Sequence, residues 1–188
     1  MNKAKVTLEG IVPIMLCKYP NPIFPGDTER RKKQTLEEKV WKDDRGMYIP
    51  TDNLRMMLIG NRFRTGAAKI QGSVYESKKG KTYVDFCKAC VWVVGPDDPM
   101  KVYFDPIRQT WDDVDIRAFI TSNGGRDVTE RPLITTPWSL TFYVHVTDES
   151  LPMTKIKKFY EVAGMRCGVG VYGPTFGRFI VKAWDIVD

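Results

Sequence analysis

The sequence is poor in the residue types from which most catalytic and metal centres are built. It contains one histidine, His145, and four cysteines among 188 residues. A single imidazole without a visible partner provides little acid–base machinery and cannot support a serine or cysteine triad. A structural zinc needs four ligands, and only Cys87 and Cys90 lie close together in the sequence. We therefore expect a binding protein rather than an enzyme, with no metal and no other cofactor.

Two nucleotide-binding motifs are also missing. The glycine-rich stretch 168–177 does not end in Gly-Lys-Ser or Gly-Lys-Thr, so it is not a Walker loop. The stretch 168–177 is rich in glycine, but it follows a predicted helix and precedes a predicted strand. The dinucleotide-binding fingerprint needs the opposite order, with the strand first. Nicotinamide and flavin sites are therefore excluded.

The sequence has no apolar run near the roughly 18 residues that span a bilayer. Residues 1–5 lead into a strand-like alternation rather than the apolar core of a signal peptide. We therefore expect a cytoplasmic protein without membrane contact, in which the cysteines stay reduced. Hydrophobic residues make up 43% and charged residues 28%, which is typical of a globular protein, and 188 residues suit a single domain, 1–188.

Positive charge is concentrated in the first half of the chain. There are 29 Lys and Arg against 23 Asp and Glu, a formal charge of +6. The basic groups are residues 30–33; Arg55, Arg62, Arg64 and Lys69; and Lys78, Lys79 and Lys81. A basic balance favours phosphate polyanions through counterion release. For any one group, solvated loop charge is the alternative.

Hydrophobic periodicity predicts alternating strands and helices. Strands are predicted at 4–16, 82–94, 139–146 and 176–186, with a short extended segment at 101–104. One helix should run from about residue 51 to Arg64, with Gly66 as its stop, and a second from Pro152 to Gly164. Residues 67–81 are predicted as a loop, and 113–134 as a hairpin that turns at 122–125. Without the hairpin, the order is the α+β ferredoxin-like βαββαβ fold, here with loop insertions.

The glycine-rich loop at 168–177 is the most distinctive segment. Four glycines in ten positions allow close approach of a ligand or of another backbone segment. Exposed amides there could bind phosphate oxygens. The aromatic residues Tyr172 and Phe176 either pack under the loop or stack on bases, and Arg178 follows them.

Three features resemble the RAMP superfamily of CRISPR effector proteins, which act in antiviral defence. The first is the glycine-rich loop before the last strand. The second is Tyr48-Ile49-Pro50-Thr51-Asp52-Asn53-Leu54-Arg55, which is similar to the helix start of the backbone subunits. The third is the hairpin 113–134, which occupies the place of the "thumb" inserted into their RNA-recognition-motif core.

The resemblance implies a protein that grips single-stranded RNA, with single-stranded DNA as the alternative. Together with the requirement for cations and aromatic rings, it gives a set of candidate binding residues. They are Asn53, Arg55, Arg62, Arg64, Arg117, Arg126, Arg131, Gly168, Gly170, Tyr172, Gly173 and Arg178. The expected partners are effector-complex subunits or further copies of the chain in an oligomer or filament. A stand-alone relative carried by a phage or plasmid fits equally well.

Two other functions stay open. Some RAMP relatives are endoribonucleases, and Asp112, Asp113 and Asp115 beside the hairpin could bind a divalent ion or cut RNA, although a solvated turn is favoured. The strand alternation turns His145 away from the apolar face, which favours a structural or surface role. The third possibility is a protein-interaction module that imitates an effector subunit, as an anti-CRISPR protein would.

Overall fold

The computed structural model describes residues 1–18, 34–61, 64–71, 74–76, 81–120 and 124–187. Arg62 and the basic groups at 30–33 and 78–79 lie outside these ranges. Within them the strands are β1 (Asn2–Gly10), β2 (Ile14–Met15), β3 (Tyr48–Pro50), β4 (Val74–Glu76), β5 (Lys81–Thr82), β6 (Val91–Val94), β7 (Lys101–Asp105), β8 (Asp113–Ile120), β9 (Arg126–Ile134), β10 (Ser139–Val146) and β11 (Phe179–Val187). The helices are α1 (Thr51–Ile59), α2 (Ala67–Gln71), α3 (Tyr83–Cys90) and α4 (Met153–Arg166), with a 3-10 turn at Glu37–Lys39.

The main sheet has the antiparallel strand order of the ferredoxin-like fold. β1 lies between β11 and β10, and β6 pairs with the outer side of β10. The connections β1–α1–β6 and β10–α4–β11 complete the βαββαβ order. β7 pairs with the other half of β10, and β3 pairs with β7. The α+β fold predicted from the sequence is therefore confirmed.

One face of this sheet is buried and the other is open. β10 alternates strictly: its buried side chains are Leu140, Phe142, Val144 and Val146. The helices pack on that side, where α4 contributes Ile156, Phe159, Tyr160 and Ala163 to the same core. The intervening side chains of β1 and β10 stay half-buried or exposed and form what we call the open face. Among the described residues, no helix is long and apolar enough to cross a membrane.

The hairpin 113–134 forms between β6 and β10, as predicted. β8 and β9 pair from Asp113–Leu133 to Ile120–Arg126, and β2 adds to the other edge of β9. Residues opposite each other share a face. One face of the hairpin, which we call the inner face, therefore carries Asp115, Arg117, Thr129 and Arg131. The outer face carries Ile116, Ala118, Ile120, Arg126, Val128 and Glu130, all of which are exposed.

The prediction of a strand over 82–94 is wrong for most of its length. Thr82 Oγ1 accepts from the backbone N–H of Asp85 at 3.2 Å, and Asp85 Oδ2 accepts from the backbone N–H of Thr82 at 3.2 Å. This reciprocal capping box starts a helix despite the β-branched and aromatic residues that follow. Cys87 and Cys90 therefore lie one turn apart on α3, and only 91–94 is extended.

Other boundaries also differ from the prediction. α1 ends at Ile59, because Gly60 has a φ of 81°, and does not reach Arg64. The predicted loop 67–81 contains α2, β4 and part of β5. The first strand breaks after Gly10 into β1 and β2, and the last begins at Phe179 instead of residue 176. α4 continues past Gly164 to residue 166, so this glycine does not end the helix. It allows close packing instead, because a Cβ at Gly164 would lie 2.2 Å from the Phe179 carbonyl oxygen.

A polar network ties the segment before β3 to β7. The Asp43 carboxylate accepts from Lys101 Nζ and from Tyr103 Oη, each at 2.7 Å. Arg45 donates to Asp97 at 2.6 Å, and its guanidinium lies 4.5 Å from the Tyr103 ring centroid. The hydrogen bond from Lys101, followed by the one from Tyr103, holds the pKa of Asp43 well below its ordinary value. The bond between Lys101 and Asp43 also raises the pKa of Lys101. The ionised carboxylate therefore organises this edge of the sheet.

We expect Asp43→Asn to lower the thermal unfolding midpoint at neutral pH, because it removes the charge that Lys101 and Tyr103 bind. The folded pKa of Asp43 lies below its ordinary value of 3.8. The stabilisation is therefore complete above that value and is lost as the pH falls through the folded pKa. Thermal melts should show a constant gap between wild type and variant down to about pH 5 and a narrower gap in stronger acid.

Asp44→Asn, at the exposed neighbouring position, is the matched control for that comparison and should change the midpoint little. A gap between wild type and Asp43→Asn that stayed constant into strong acid would contradict the assignment of the charge to Asp43.

Candidate nucleic-acid interface

The glycine-rich loop 168–177 packs its backbone directly against β2 and the residues before it. Val171 N–H donates to the Met15 carbonyl at 3.0 Å, and Gly177 N–H donates to the Pro13 carbonyl at 2.8 Å. A Cβ on Gly170 would lie 2.3 Å from the Met15 carbonyl oxygen, and the φ of Gly170 is 82°. Glycine meets both requirements, a left-handed conformation and close approach of two backbones.

Most of the loop amides are used inside the fold. The N–H groups that donate to carbonyls of the chain itself are those of Gly168, Val169, Val171, Phe176 and Gly177. The expectation that the loop binds phosphate through exposed amides is therefore wrong at these positions. A phosphate at this loop would have to be bound mainly by side chains around it.

Arg64 fixes the loop from the side of the helices. Its Nη1 donates to the Gly168 carbonyl at 3.2 Å and its Nη2 to the Gly170 carbonyl at 3.3 Å. A tight turn positions this arginine, since Asn61 N–H donates to the Arg64 carbonyl at 2.8 Å. Gly173 leaves room for it, because a Cβ there would come within 3.0 Å of Arg64 Nη2. The predicted binding residue Arg64 thus positions the loop.

Two hairpin arginines lie over the aromatic residues of the loop. The guanidinium carbon of Arg131 is 4.9 Å from the ring centroid of Tyr172, and that of Arg117 is 5.5 Å from the same ring. Arg117 also lies 4.9 Å from the Phe176 ring. Tyr172 has a left-handed φ of 55° and is 42% exposed. We call Arg117, Arg131, Tyr172 and Phe176, with Arg64 behind them, the corner surface.

The corner surface keeps a net positive charge. Within the corner surface, the carboxylate of Asp115 pairs with Arg117: Nε of Arg117 donates to Oδ1 at 2.5 Å, and its Nη2 donates to Oδ2 at 3.1 Å. This hydrogen bonding raises the pKa of Arg117. Arg131 Nε and Nη1 are buried and have no hydrogen-bond partner among the described residues. Since Asp115 is engaged by Arg117 and does not neutralise Arg131, an anion near Arg131 would be attracted by its charge.

Two of the predicted binding residues point to other surfaces. Arg55, on α1, donates from Nη2 to the carbonyl of Lys88, and its guanidinium lies 5.0 Å from the Trp92 ring centroid. Arg126 is exposed on the outer face of the hairpin, opposite to the face that holds Arg131. The structure therefore divides the predicted set between different surfaces.

Three further predicted residues have less defined surroundings. Asn53 is half-buried in the first turn of α1. Arg178 directly follows the loop, its carbonyl accepts from Ile11 N–H at 2.9 Å, and its Nε is buried without a partner in the described part of the chain. Arg62 lies outside the described residues. For all three, a role in binding stays a prediction.

The acidic residues beside the hairpin are engaged by basic and polar groups. Asp112 accepts from Arg108 Nη1 at 2.8 Å and from Thr135 N–H at 2.8 Å. Asp113 accepts from the N–H of the next residue, and Asp115 is bound by an arginine. Within the described ranges, no group of three or more His, Cys, Asp or Glu is placed to hold a metal ion. These contacts favour a structural role for the aspartates.

The remaining chemical candidates occupy separate places. His145 lies on the open face, as the strand alternation predicts, and burial followed by the charge of Lys3 lowers its pKa. Cys87 is buried in the core, and burial raises the pKa of its thiol to about 12, which makes it unreactive at neutral pH. Sequence reasoning missed the aromatic residues of the open face, notably Trp92 and Tyr143, although their alternation with buried apolar residues marks them.

The chain resembles known proteins in its fold but not in its sequence. Neither a protein-family model nor a curated protein matches the sequence. Among solved structures, a chain of the cryo-EM structure of the Type III-B Cmr-beta bound to cognate target RNA aligns with a TM-score of 0.54. The two chains are 9% identical, and the alignment covers 100% of this chain and 61% of that chain.

The two chains share a fold. At such low identity the likeness concerns the fold alone, and this chain spans 61% of the length of its neighbour. Within this fold, the hairpin lies between β6 and β10, and the glycine-rich loop precedes β11. The residues of the corner surface lie where these two insertions meet.

We expect Gly170→Ala to lower the free energy of unfolding by more than about 1 kcal/mol, because a Cβ there meets the Met15 carbonyl at 2.3 Å in a left-handed conformation. The matched control is Gly124→Ala at the hairpin tip, where φ is 77° and nothing lies within 4 Å of the added Cβ. Urea unfolding of both variants measures the difference. Equal losses would show that conformation alone, and not backbone packing, requires glycine in the loop.

Proposed function

We propose that this protein binds single-stranded RNA through the corner surface, with the phosphate chain beside the arginines and a base against Tyr172. The observation that carries the proposal is the half-exposed Tyr172 ring beneath the guanidinium groups of Arg117 and Arg131. Sequence-independent binding of single strands combines these two elements, cations that follow the backbone and aromatic rings on which bases stack.

The charge of the surface supports an anionic ligand. Arg117 has its carboxylate partner in Asp115, whereas Arg131 retains two buried donors without a partner among the described residues. An RNA phosphate near Arg131 would be attracted by this positive charge, which Asp115 does not neutralise. Arg64 contributes from behind by holding the loop carbonyls, so that the aromatic side of the loop faces the hairpin.

The fold supports the same class of ligand. The neighbour of similar fold belongs to a Type III-B Cmr-beta assembly bound to cognate target RNA. This likeness supports the further proposal that the protein acts as an effector-backbone relative, either as a subunit of a CRISPR complex or as a stand-alone protein that coats a strand. Sizing of the protein on RNAs of increasing length tests assembly: stepwise addition of further copies supports coating, and a single bound copy at every length contradicts it.

The proposed function is tested by fluorescence anisotropy with labelled single-stranded RNA, single-stranded DNA and duplex RNA over a series of salt concentrations. We expect the single strands to bind more tightly than the duplex, because stacking on Tyr172 needs an unpaired base. A preference for duplex RNA, or no binding to any of the three, would overturn the proposal.

In this assay, Arg131→Ala should weaken RNA binding about tenfold and reduce the slope of log affinity against log salt by about 0.7, the value for one phosphate contact on a single strand. Arg126→Ala is the matched control, because it removes the same charge from the outer face of the same hairpin. A larger loss in Arg126→Ala than in Arg131→Ala would place the RNA on the outer face instead.

Tyr172→Ala should weaken binding by about 1–3 kcal/mol per stacked base while leaving the salt slope unchanged, because stacking releases no counterions. Tyr172→Phe keeps the ring and should bind nearly as the wild type does. If Tyr172→Phe lost as much affinity as Tyr172→Ala, the hydroxyl rather than the ring face would be the contact.

A further inference from the structure

A second group of aromatic and cationic side chains lies on the open face of the sheet, at the end opposite to the corner surface. The strand register places Trp92, His145 and Lys3 side by side across β6, β10 and β1. In the next row, Tyr143 lies beside Lys5. These five residues occupy alternate positions of their strands, so they share one face.

Trp92 has the geometry of a stacking platform. Its side chain is 51% exposed, although it lies on a strand whose neighbours Val91 and Val93 are buried. The Arg55 guanidinium lies 5.0 Å from its ring centroid and is anchored by a hydrogen bond to the Lys88 carbonyl. The ring is therefore held in place while half of it stays accessible to a flat ligand.

The surroundings of Trp92 favour a ligand that is both flat and anionic. Lys3 Nζ lies 4.3 Å from the ring centroid of Tyr143, and Lys5 is exposed in the adjacent row. His145 Nε2 is buried and has no hydrogen-bond partner among the described residues. Against the two cations of the row, Lys3 and Lys5, the register brings one carboxylate, Asp185, opposite Lys5. The row thus combines ring faces with a net positive charge.

We propose that this row, Trp92, His145 and Lys3 with Tyr143 and Lys5, is a second contact for single-stranded RNA, in which an unpaired base stacks on Trp92 and the neighbouring phosphates lie near the two lysines. The ligand class rests on the proposed function, but the residues do not belong to the corner surface. The assignment also gives the predicted binding residue Arg55 a role, which is to position the Trp92 ring.

The two contacts are separated by the length of β1. The row lies at the Asn2 end of the strand, and the glycine-rich loop packs just beyond the Gly10 end. Nine residues at about 3.3 Å each span roughly 25–30 Å. A short oligonucleotide can therefore occupy one contact, while a longer one can bridge both and gain affinity through effective concentration.

The test is anisotropy of short and long oligouridines with Trp92→Ala, together with Met100→Ala as a control at an exposed apolar residue outside both surfaces. We expect Trp92→Ala to bind the long RNA about 5- to 150-fold more weakly with an unchanged salt slope, as removal of one stacking aromatic does. Lys3→Ala should lower the slope by about 0.7. Trp92→Phe, which keeps a ring and replaces a half-exposed residue, should retain most of the affinity.

The outcomes separate the two proposals. If Trp92→Ala binds as the wild type does while Arg131→Ala is impaired, the second contact is overturned and the proposed function stands. If Trp92→Ala is impaired and the corner variants are not, the open face is the binding surface and the corner assignment fails. If Trp92→Ala keeps its RNA affinity but loses self-association in sedimentation, the row is a protein interface and the proposal is again overturned.

Discussion

The corner surface depends on one constraint, the direct packing of the glycine-rich loop against the backbone of β2. Gly170 approaches the Met15 carbonyl more closely than any residue with a Cβ could. This contact turns the loop carbonyls of residues 168 and 170 toward Arg64 and leaves Tyr172 at a left-handed φ with its ring outward. The exposed aromatic is therefore positioned by backbone geometry, which is far stiffer than a side-chain contact.

The hairpin is the second half of this arrangement, and it is rigid for the same reason. β9 pairs with β2, the strand against which the glycine-rich loop packs. Arg117 and Arg131 thus meet Tyr172 because two backbone segments share β2 as a neighbour. Cation–aromatic contacts at exposed sites are worth only about 0.5–1 kcal/mol each, so they could not assemble the surface alone. The backbone places the groups, and the weak contacts leave them available for a ligand.

The sequence predicts the fold better than it predicts the site, and particular residues show why. β10 alternates without interruption, so periodicity alone locates it, and the βαββαβ order follows. The segment 82–94 fails because two polar residues, Thr82 and Asp85, form a capping box whose effect outweighs the β propensity of their neighbours. A local hydrogen-bond pair of this kind leaves no periodic trace in the sequence.

The candidate site shows the same limit. Arg117, Arg131 and Tyr172 can be named from residue type and from the resemblance, but their meeting depends on pairing across more than a hundred residues with β2. Conversely, Arg55 and Arg64 lie nine positions apart in the sequence and serve different surfaces, because α1 ends between them at Ile59. Sequence proximity grouped these two arginines, and the helix end separates them.

Both surfaces repeat one chemical unit, a half-exposed aromatic ring with a guanidinium group lying over it. At the corner the ring is Tyr172 and the cation comes from the hairpin; on the open face the ring is Trp92 and the cation is Arg55 from α1. In each case the arginine comes from a different element than the ring, so each unit forms only when the chain is folded. β1 runs from the open-face row to the corner surface. A single-stranded RNA that contacted both surfaces would therefore lie along the sheet, and the register of β1 with its neighbours would set its path.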